Sequence, residues 1–258
     1  MARQARRESG TGYYHVMMRG INREFLFKMD SNKAYFMELL GEQQANGMFE
    51  LMAWCLMDNH AHMVVKANIE DMSKAIKIVS LKYAAHYNRT LKRNGPVFGD
   101  RFRSENIEDD TYLLGALRYI HLNPVKAKLV NDIAAYPWSS FREYLGQAQY
   151  VAPSQKAFVL ELFAGNLKSF LSFHEQEDVI EYLEVREDVE KNREALAVAV
   201  IENFCRENGV THAKEIQANP ELFEELCRRL VQGAGLSLRK TAGYLATTHQ
   251  RVHQALQE

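Results

Sequence analysis

The chain has 258 residues, 47% hydrophobic and 25% charged, a soluble globular composition that excludes a low-complexity or disordered chain. No apolar run approaches the ~18 residues that span a bilayer, no apolar segment follows the basic start MARQARRESG as a secretory signal requires, and Cys55, Cys205 and Cys227 lie too far apart for a disulfide framework or zinc ribbon, so a reduced, cytoplasmic protein is expected. The net charge of -1 is unevenly divided: residues 1–130 hold 19 Lys+Arg against 14 Asp+Glu, the remainder 13 against 19, and 228–258 alone five against one. Basic ends attract phosphate, though ordinary surface variation gives the same balance.

YYHVMMR (13–19) alternates and is rich in aromatic and β-branched residues, so it predicts a strand. Asp30 or Ser31 can cap a helix running to Asn46, with Gly47 just past its end. FELMAWCLM (49–57) predicts a second strand, Asp58-Asn59 a turn, and HAHMVVKA (60–67) the returning strand of a hairpin. A helix is expected from about Met72 to Lys92, before the breaker Asn94-Gly95-Pro96. VFGDRFRSENI (97–107) should be extended, and a further helix should start at Asp109–Thr111 and end at Pro124. The order β-α-β-β-α-β plus a helix is the split βαβ, ferredoxin-like plan, an antiparallel sheet with helices on one face. Residues of about 131–155 look like a connector, and the following stretch to Gly233 is helical and acidic.

The histidines of MDNHAHMVV (57–65) raise the chemical question. Residues two apart on a strand point the same way, so His60 and His62 share a face, with Ala61, Met63 and Val65 on the other. Two imidazoles so spaced can hold one divalent ion, although His-x-His also arises by chance. In LRYIHLNPVKAKLV (117–130), Tyr119 and Asn123 lie four apart on one helical face. A tyrosine hydroxyl can attack phosphorus and an asparagine oxygen can ligate a hard cation. Each also has an ordinary reading, Tyr119 as a half-buried core residue and Asn123 as a helix cap before Pro124. His121, two residues after Tyr119, points elsewhere and reads as structural.

Taken together, YHVMMRGINRE (14–24), MDNHAHMVV (57–65), GPVFGDRFRSENI (95–107), YLLGALRYIHLNPVKAKLV (112–130) and YPWSSFREYLG (136–146) resemble the REP-associated tyrosine transposases, single-tyrosine HUH transposases of bacterial insertion sequences. The resemblance covers most of residues 12–146 and implies an α+β fold with a ferredoxin-like HUH catalytic domain. It implies Tyr119 as the nucleophile, and His60 and His62, with Asn123 as third ligand, holding Mg²⁺ or Mn²⁺. The implied substrate is single-stranded DNA with palindromic hairpins, cleaved and rejoined through a 5′-phosphotyrosine by a monomer or homodimer with no membrane association. Arg19, Arg23, Arg101, Arg103 and Arg118 are candidate phosphate or hairpin contacts, or else ordinary surface arginines. Asp58 replaces the proline usual in the family and reads as a turn residue or a carboxylate near the metal. Lys126 and Lys128 stand where arginine and glycine are usual, and both are read as lying outside the catalytic set.

The domain division expected is 1–150 for the catalytic domain, 151–230 for a helical linker and 231–258 for a helix-turn-helix. In the last, LSLRKTAGYLA and TTHQRVHQAL would be the two helices, with Ala242, Leu245, Val252 and Ala255 inward and Ala246 where glycine is common. Thr248, His249, Gln250, Arg251, His253 and Gln254 would then be available to DNA, unless the segment is a plain helical hairpin. Two functions compete: a metal-dependent strand transferase acting through Tyr119, and a non-catalytic, sequence-specific DNA-binding regulator that retains the fold. RNA recognition on the sheet lacks the expected aromatic stacking pattern.

Overall fold

A computed structural model describes residues 6–99, 101–146, 148–176, 186–210, 216–217 and 219–256. The chain divides into two compact units, 1–183 and 184–258.

The first unit runs β1 (Tyr13–Arg19), α1 (Asp30–Ala45), β2 (Glu50–Leu56), β3 (His60–Lys66), α2 (Ile69–Thr90), β4 (Arg103–Ile107) and α3 (Asp110–Lys126). The strands form one antiparallel sheet in the order β2-β3-β1-β4, as the split βαβ plan requires. Register fixes what shares a face. His60 lies opposite Arg19, His62 opposite Met17 and Val64 opposite His15. β4 extends two of these rows, with Arg103 opposite Met17 and Glu105 opposite His15, while β2 sets Cys55 opposite His62. On the reverse face, Tyr14, Val16, Met18, Ala61, Met63 and Val65 are all at most 2% exposed. A slip of one residue would exchange the two sets, so burial of the apolar set also fixes where the histidines point.

Helices α1 and α2 pack on each other and put Phe36, Met37, Leu40, Ile76, Val79 and Tyr83 into the core with that apolar set. Helix α3 covers the histidine face instead. Its Tyr119 ring meets the His15 and His62 rings, and its Leu113, Ala116, Leu117 and Ile120 are buried. The ferredoxin-like plan thus accounts for α1 and α2, and the extra helix closes the second face, where Met17, Cys55 and Val64 also need cover.

Several boundaries depart from the periodicity for local reasons. Asn68 caps α2 by accepting from the Asp71 N–H at 2.8 Å, so the helix starts three residues before Met72. At α1 the cap position falls to Met29, which offers no side-chain acceptor. Only the end of 97–107 joins the sheet, apart from a single bridge between Phe98 and Gly20. Asp109 caps α3 through the Tyr112 N–H at 2.7 Å, and α3 does not stop at Pro124 but continues to Lys126. Asn123 is therefore inside a helix and caps nothing. Proline there sacrifices only the bond to the Ile120 carbonyl, and the buried packing of Asn123 and Pro124 holds the turn together. The helix ends in a Schellman motif: Leu129 N–H donates to Pro124 O, Lys128 N–H to Val125 O, and Lys128 takes φ +57°.

The expected connector has a structural task. Leu56 N–H donates to Trp138 O, Ser140 N–H to Trp54 O, and the Tyr136 hydroxyl to Leu56 O, so 136–140 covers the outer edge of β2. After α4 (Phe141–Leu145) come α5 (Pro153–Leu162) and α6 (Leu167–His174). The second unit contains α7 (Arg186–Glu207), α8 (Pro220–Arg228) running into a π turn at Arg229–Gly233, α9 (Leu238–Tyr244) and α10 (His249–Ala255). Its core gathers Phe204, Phe223, Leu226, Leu230, Ala242, Leu245 and Val252.

Candidate active site

The site is built where β1, β3 and α3 meet. His60 and His62 leave β3 on one side, their ring centroids 4.9 Å apart. The Tyr119 ring stands edge-on to His62, with centroids 5.5 Å apart. Asn123 lies one turn further along α3 on the same helical face and is 9% exposed. Residues separated by nearly sixty positions are thus brought together by sheet register and helix packing.

Hydrogen bonds decide which nitrogen atoms remain for a ligand. His60 Nδ1 is 2.6 Å from Asn59 Oδ1, an acceptor, so Nδ1 carries the proton and Nε2 keeps its lone pair. His62 Nδ1 lies 3.1 Å from Nε2 of His15, which is fully buried on β1. Burial pushes His62 well below the usual imidazole range, helped by the nearby His60, His15 and Arg19, and burial pushes His15 down to about 3. Neutral imidazole is the form that donates a lone pair to a metal. Among the described residues no cluster of three or more His, Cys, Asp or Glu side chains is arranged for a metal ion. The donors brought side by side are two imidazoles with Nδ1 engaged, while Asn123 shares the α3 face of Tyr119. Such a set suits a divalent ion that keeps water and takes oxygen from a phosphate.

The arginines separate by position. Arg19 and Arg103 lie on the histidine face by register, Arg101 is exposed just ahead of β4, and Arg23 has φ +63° in the turn after β1. Arg118 points to the other side of α3, where its guanidinium covers Phe173 at 4.4 Å and donates to the Phe173 carbonyl at 3.1 Å. Asp58 turns to Lys33, 3.4 Å away. In the second unit, Thr248, His249, Gln250, Arg251, His253 and Gln254 are exposed. The Thr248 hydroxyl caps α10 by accepting from the Arg251 N–H, and the Arg251 guanidinium donates to Gln217 O at 2.7 Å while covering Phe223. Ala242, Leu245 and Val252 face inward, and Ala246 takes φ +49°.

Three residues were not placed in the candidate set by the sequence. His15 was legible only as part of a strand; β1 and β3 are neighbours in the split βαβ plan, but the register that joins His15 to His62 is not written locally. Asn59 carried a signal, being the turn residue beside His60. Lys126 corrects an expectation. Its Nζ lies 4.8 Å from the centre of the Tyr119 ring, so it does touch the candidate set, because a side chain seven residues on returns to the same helical face.

Residues 9–123 match the family model described as IS200-like transposase. A Haemophilus influenzae protein named as a candidate REP-associated tyrosine transposase is 28% identical over 130 residues, spanning 43% of this chain and 74% of that protein. A solved structure of a REP-associated tyrosine transposase bound to a REP hairpin superposes with a TM-score of 0.51 at 16% identity, covering 71% of this chain and 96% of that one, which establishes a shared fold. Residues 9–123 are thus similar to the IS200-like transposases, the chain resembles a REP-associated tyrosine transposase in sequence over 130 residues, and it shares the fold of another.

Proposed function

We propose that the chain is a DNA strand transferase that cleaves and rejoins single-stranded DNA beside palindromic hairpins, with Tyr119 as nucleophile. The observation that carries this reading is the Tyr119 ring 5.5 Å from His62, whose strand-mate His60 has its ring 4.9 Å away and its Nδ1 engaged by Asn59. Free phenol has a pKa near 10, so only roughly 0.1% is ionised at neutral pH. A divalent ion, Mg²⁺ or Mn²⁺, held by His60, His62 and Asn123 would supply charge neutralisation at the scissile phosphate. Helix α3 holds the phenol against the histidine face, which lowers the entropic cost of in-line attack. Tyr119 Oη bonds to phosphorus and gives up its proton to solvent. The bond from phosphorus to the 3′ oxygen breaks, and that oxygen takes up a proton from solvent to leave as a hydroxyl. The 5′-phosphotyrosine keeps the phosphoester, so an incoming 3′-OH reverses the step and joins strands without ATP.

Arg19 and Arg103 flank this face and suit the phosphates of the strand, with Arg101 and Arg23 close in sequence. Arg118, held against Phe173, is better suited to fixing α6. The α9–α10 pair fits a helix-turn-helix in which His249, Gln250, His253 and Gln254 meet duplex DNA, Thr248 and Arg251 being partly committed to the unit itself.

The test is a denaturing gel after incubation with a hairpin-bearing single strand and Mn²⁺. The wild-type chain should form a covalent adduct. Tyr119→Phe should form none while binding the hairpin with affinity within roughly threefold of wild type, since one hydroxyl contributes little to a phosphate-dominated contact. Normal nicking by that variant would remove Tyr119 as nucleophile. Salt-dependent binding with no adduct under any metal would favour the DNA-binding regulator.

A further inference from the structure

His60 and His62 are held by different partners. Asn59 Oδ1 can only accept, so it fixes the proton of His60 on Nδ1. His62 Nδ1 instead faces a second imidazole nitrogen, His15 Nε2, at 3.1 Å, and that bond can run either way. If His62 donates, its Nε2 lone pair is available and the His15 proton sits on His15 Nδ1. If His15 donates, the His62 proton moves to Nε2 and that nitrogen cannot ligate.

We propose that His15 is a positioning residue: a buried acceptor that keeps the His62 proton on Nδ1 and so presents Nε2 as a ligand. This rests on reading His60 and His62 as metal ligands. The placement of His15 is otherwise hard to explain. It is fully buried, and its Nδ1 has no hydrogen-bond partner among the described residues. An apolar residue would fill the space without an orphaned nitrogen. Its ring also packs edge-on against Tyr119, with centroids 6.0 Å apart, so one side chain touches both the candidate ligand and the candidate nucleophile. The contact is a diagonal one across the β1–β3 pair, since His15 lies opposite Val64 and His62 opposite Met17 on the shared face.

The experiment compares His15→Phe, which keeps a ring but removes the acceptor, with His15→Gln, whose Oε1 can accept. Mn²⁺ binding by the full chain is measured calorimetrically. His15→Phe should weaken binding by roughly 10- to 100-fold, the usual cost of losing the partner of a ligating histidine, and His15→Gln should recover most of it. Wild-type Mn²⁺ affinity in His15→Phe, with binding abolished in His62→Ala, would overturn the role of His15 alone. Normal binding by His62→Ala, or none by the wild type, would overturn it together with the metal reading. A measurement that needs no folded variant is the long-range ¹⁵N–¹H spectrum of the Mg²⁺-loaded wild-type chain. It should place the protons of both His62 and His15 on Nδ1, and a His62 proton on Nε2 would overturn the proposal.

Discussion

Helix α3 separates two groups of histidines, and they differ in what is left over. On one side lie His15, His60 and His62 beside Tyr119. On the other, His121 Nδ1 and His174 Nε2 are 3.0 Å apart, His121 Nε2 meets the Ser140 hydroxyl at 2.8 Å, and His174 Nδ1 donates to Phe170 O at 2.8 Å. The direction of that second chain is fixed from its ends. Phe170 O and the Trp54 N–H, which donates to Ser140 Oγ at 2.9 Å, leave one consistent set of donors. His174 therefore accepts from His121, and His121 accepts from Ser140. Every nitrogen is used, all three side chains are at most 5% exposed, and the group ties α3 and α6 to the outer edge of β2. A serine beside two histidines looks like a nucleophile on paper, yet here its proton is committed to His121, its oxygen accepts from the Trp54 N–H, and it is fully buried. In the first group the buried His15 Nδ1 has no hydrogen-bond partner among the described residues. A closed chain marks the structural cluster and an orphaned nitrogen marks the candidate chemical one.

Substitutions should split along this line. His121→Ala removes the centre of the saturated chain, orphans Ser140 and His174 and opens a cavity, so urea unfolding of the chain should show a loss of about 3–4 kcal/mol. His60→Ala, at a half-buried position, should cost less than about 1 kcal/mol in the same titration yet remove Mn²⁺ binding. Equal stability losses from the two would erase the distinction.

Acid should act on the saturated chain next. Burial pushes His174 down to about 4, below the ordinary imidazole value of 6.5. The unfolded chain thus binds the proton first, so the contribution of neutral His174 is complete above pH 6.5 and is lost as pH falls toward 4. It amounts to about 3 kcal/mol at most. The slope of unfolding free energy against pH should be flatter in His174→Gln over that window, and an unchanged slope would refute the assignment.

The smallest effect tests the end of the helix that carries both groups. Lys128 holds φ +57° in the Schellman motif, a conformation that costs a side chain about 1 kcal/mol. Lys128→Gly should raise stability by about 0.5–1 kcal/mol with no change in Mn²⁺ affinity, read from the unfolding midpoint and the binding isotherm. A destabilised variant would mean that the lysine makes a compensating contact.

Much of this was legible in the chain. The β1 bounds match Tyr13–Arg19 because aromatic and β-branched alternation is a strong signal, and β2, β3 and the hairpin turn follow the same logic. The shared face of His60 and His62 follows from strand parity, and that of Tyr119 and Asn123 from helical spacing. His121 was set apart from Tyr119 for the same reason. Capping was less legible: Asn68 outcompeted the periodicity at the start of α2, and burial carried α3 through Pro124. Lys128 and Ala246, departures from glycine in the sequence, turn out to occupy positive-φ positions.

What the sequence alone determined is periodic and local: which residues share a strand or helix face, where turns fall, and that two imidazoles and a phenol were on hand. Only the tertiary structure decided their meeting. Cross-strand register paired His15 with His62, and the packing of α3 on the second face of the sheet set Tyr119 and Lys126 beside them. Register and packing are settled by the burial of the whole core, a sum over residues far apart in the chain, so no short stretch can encode them.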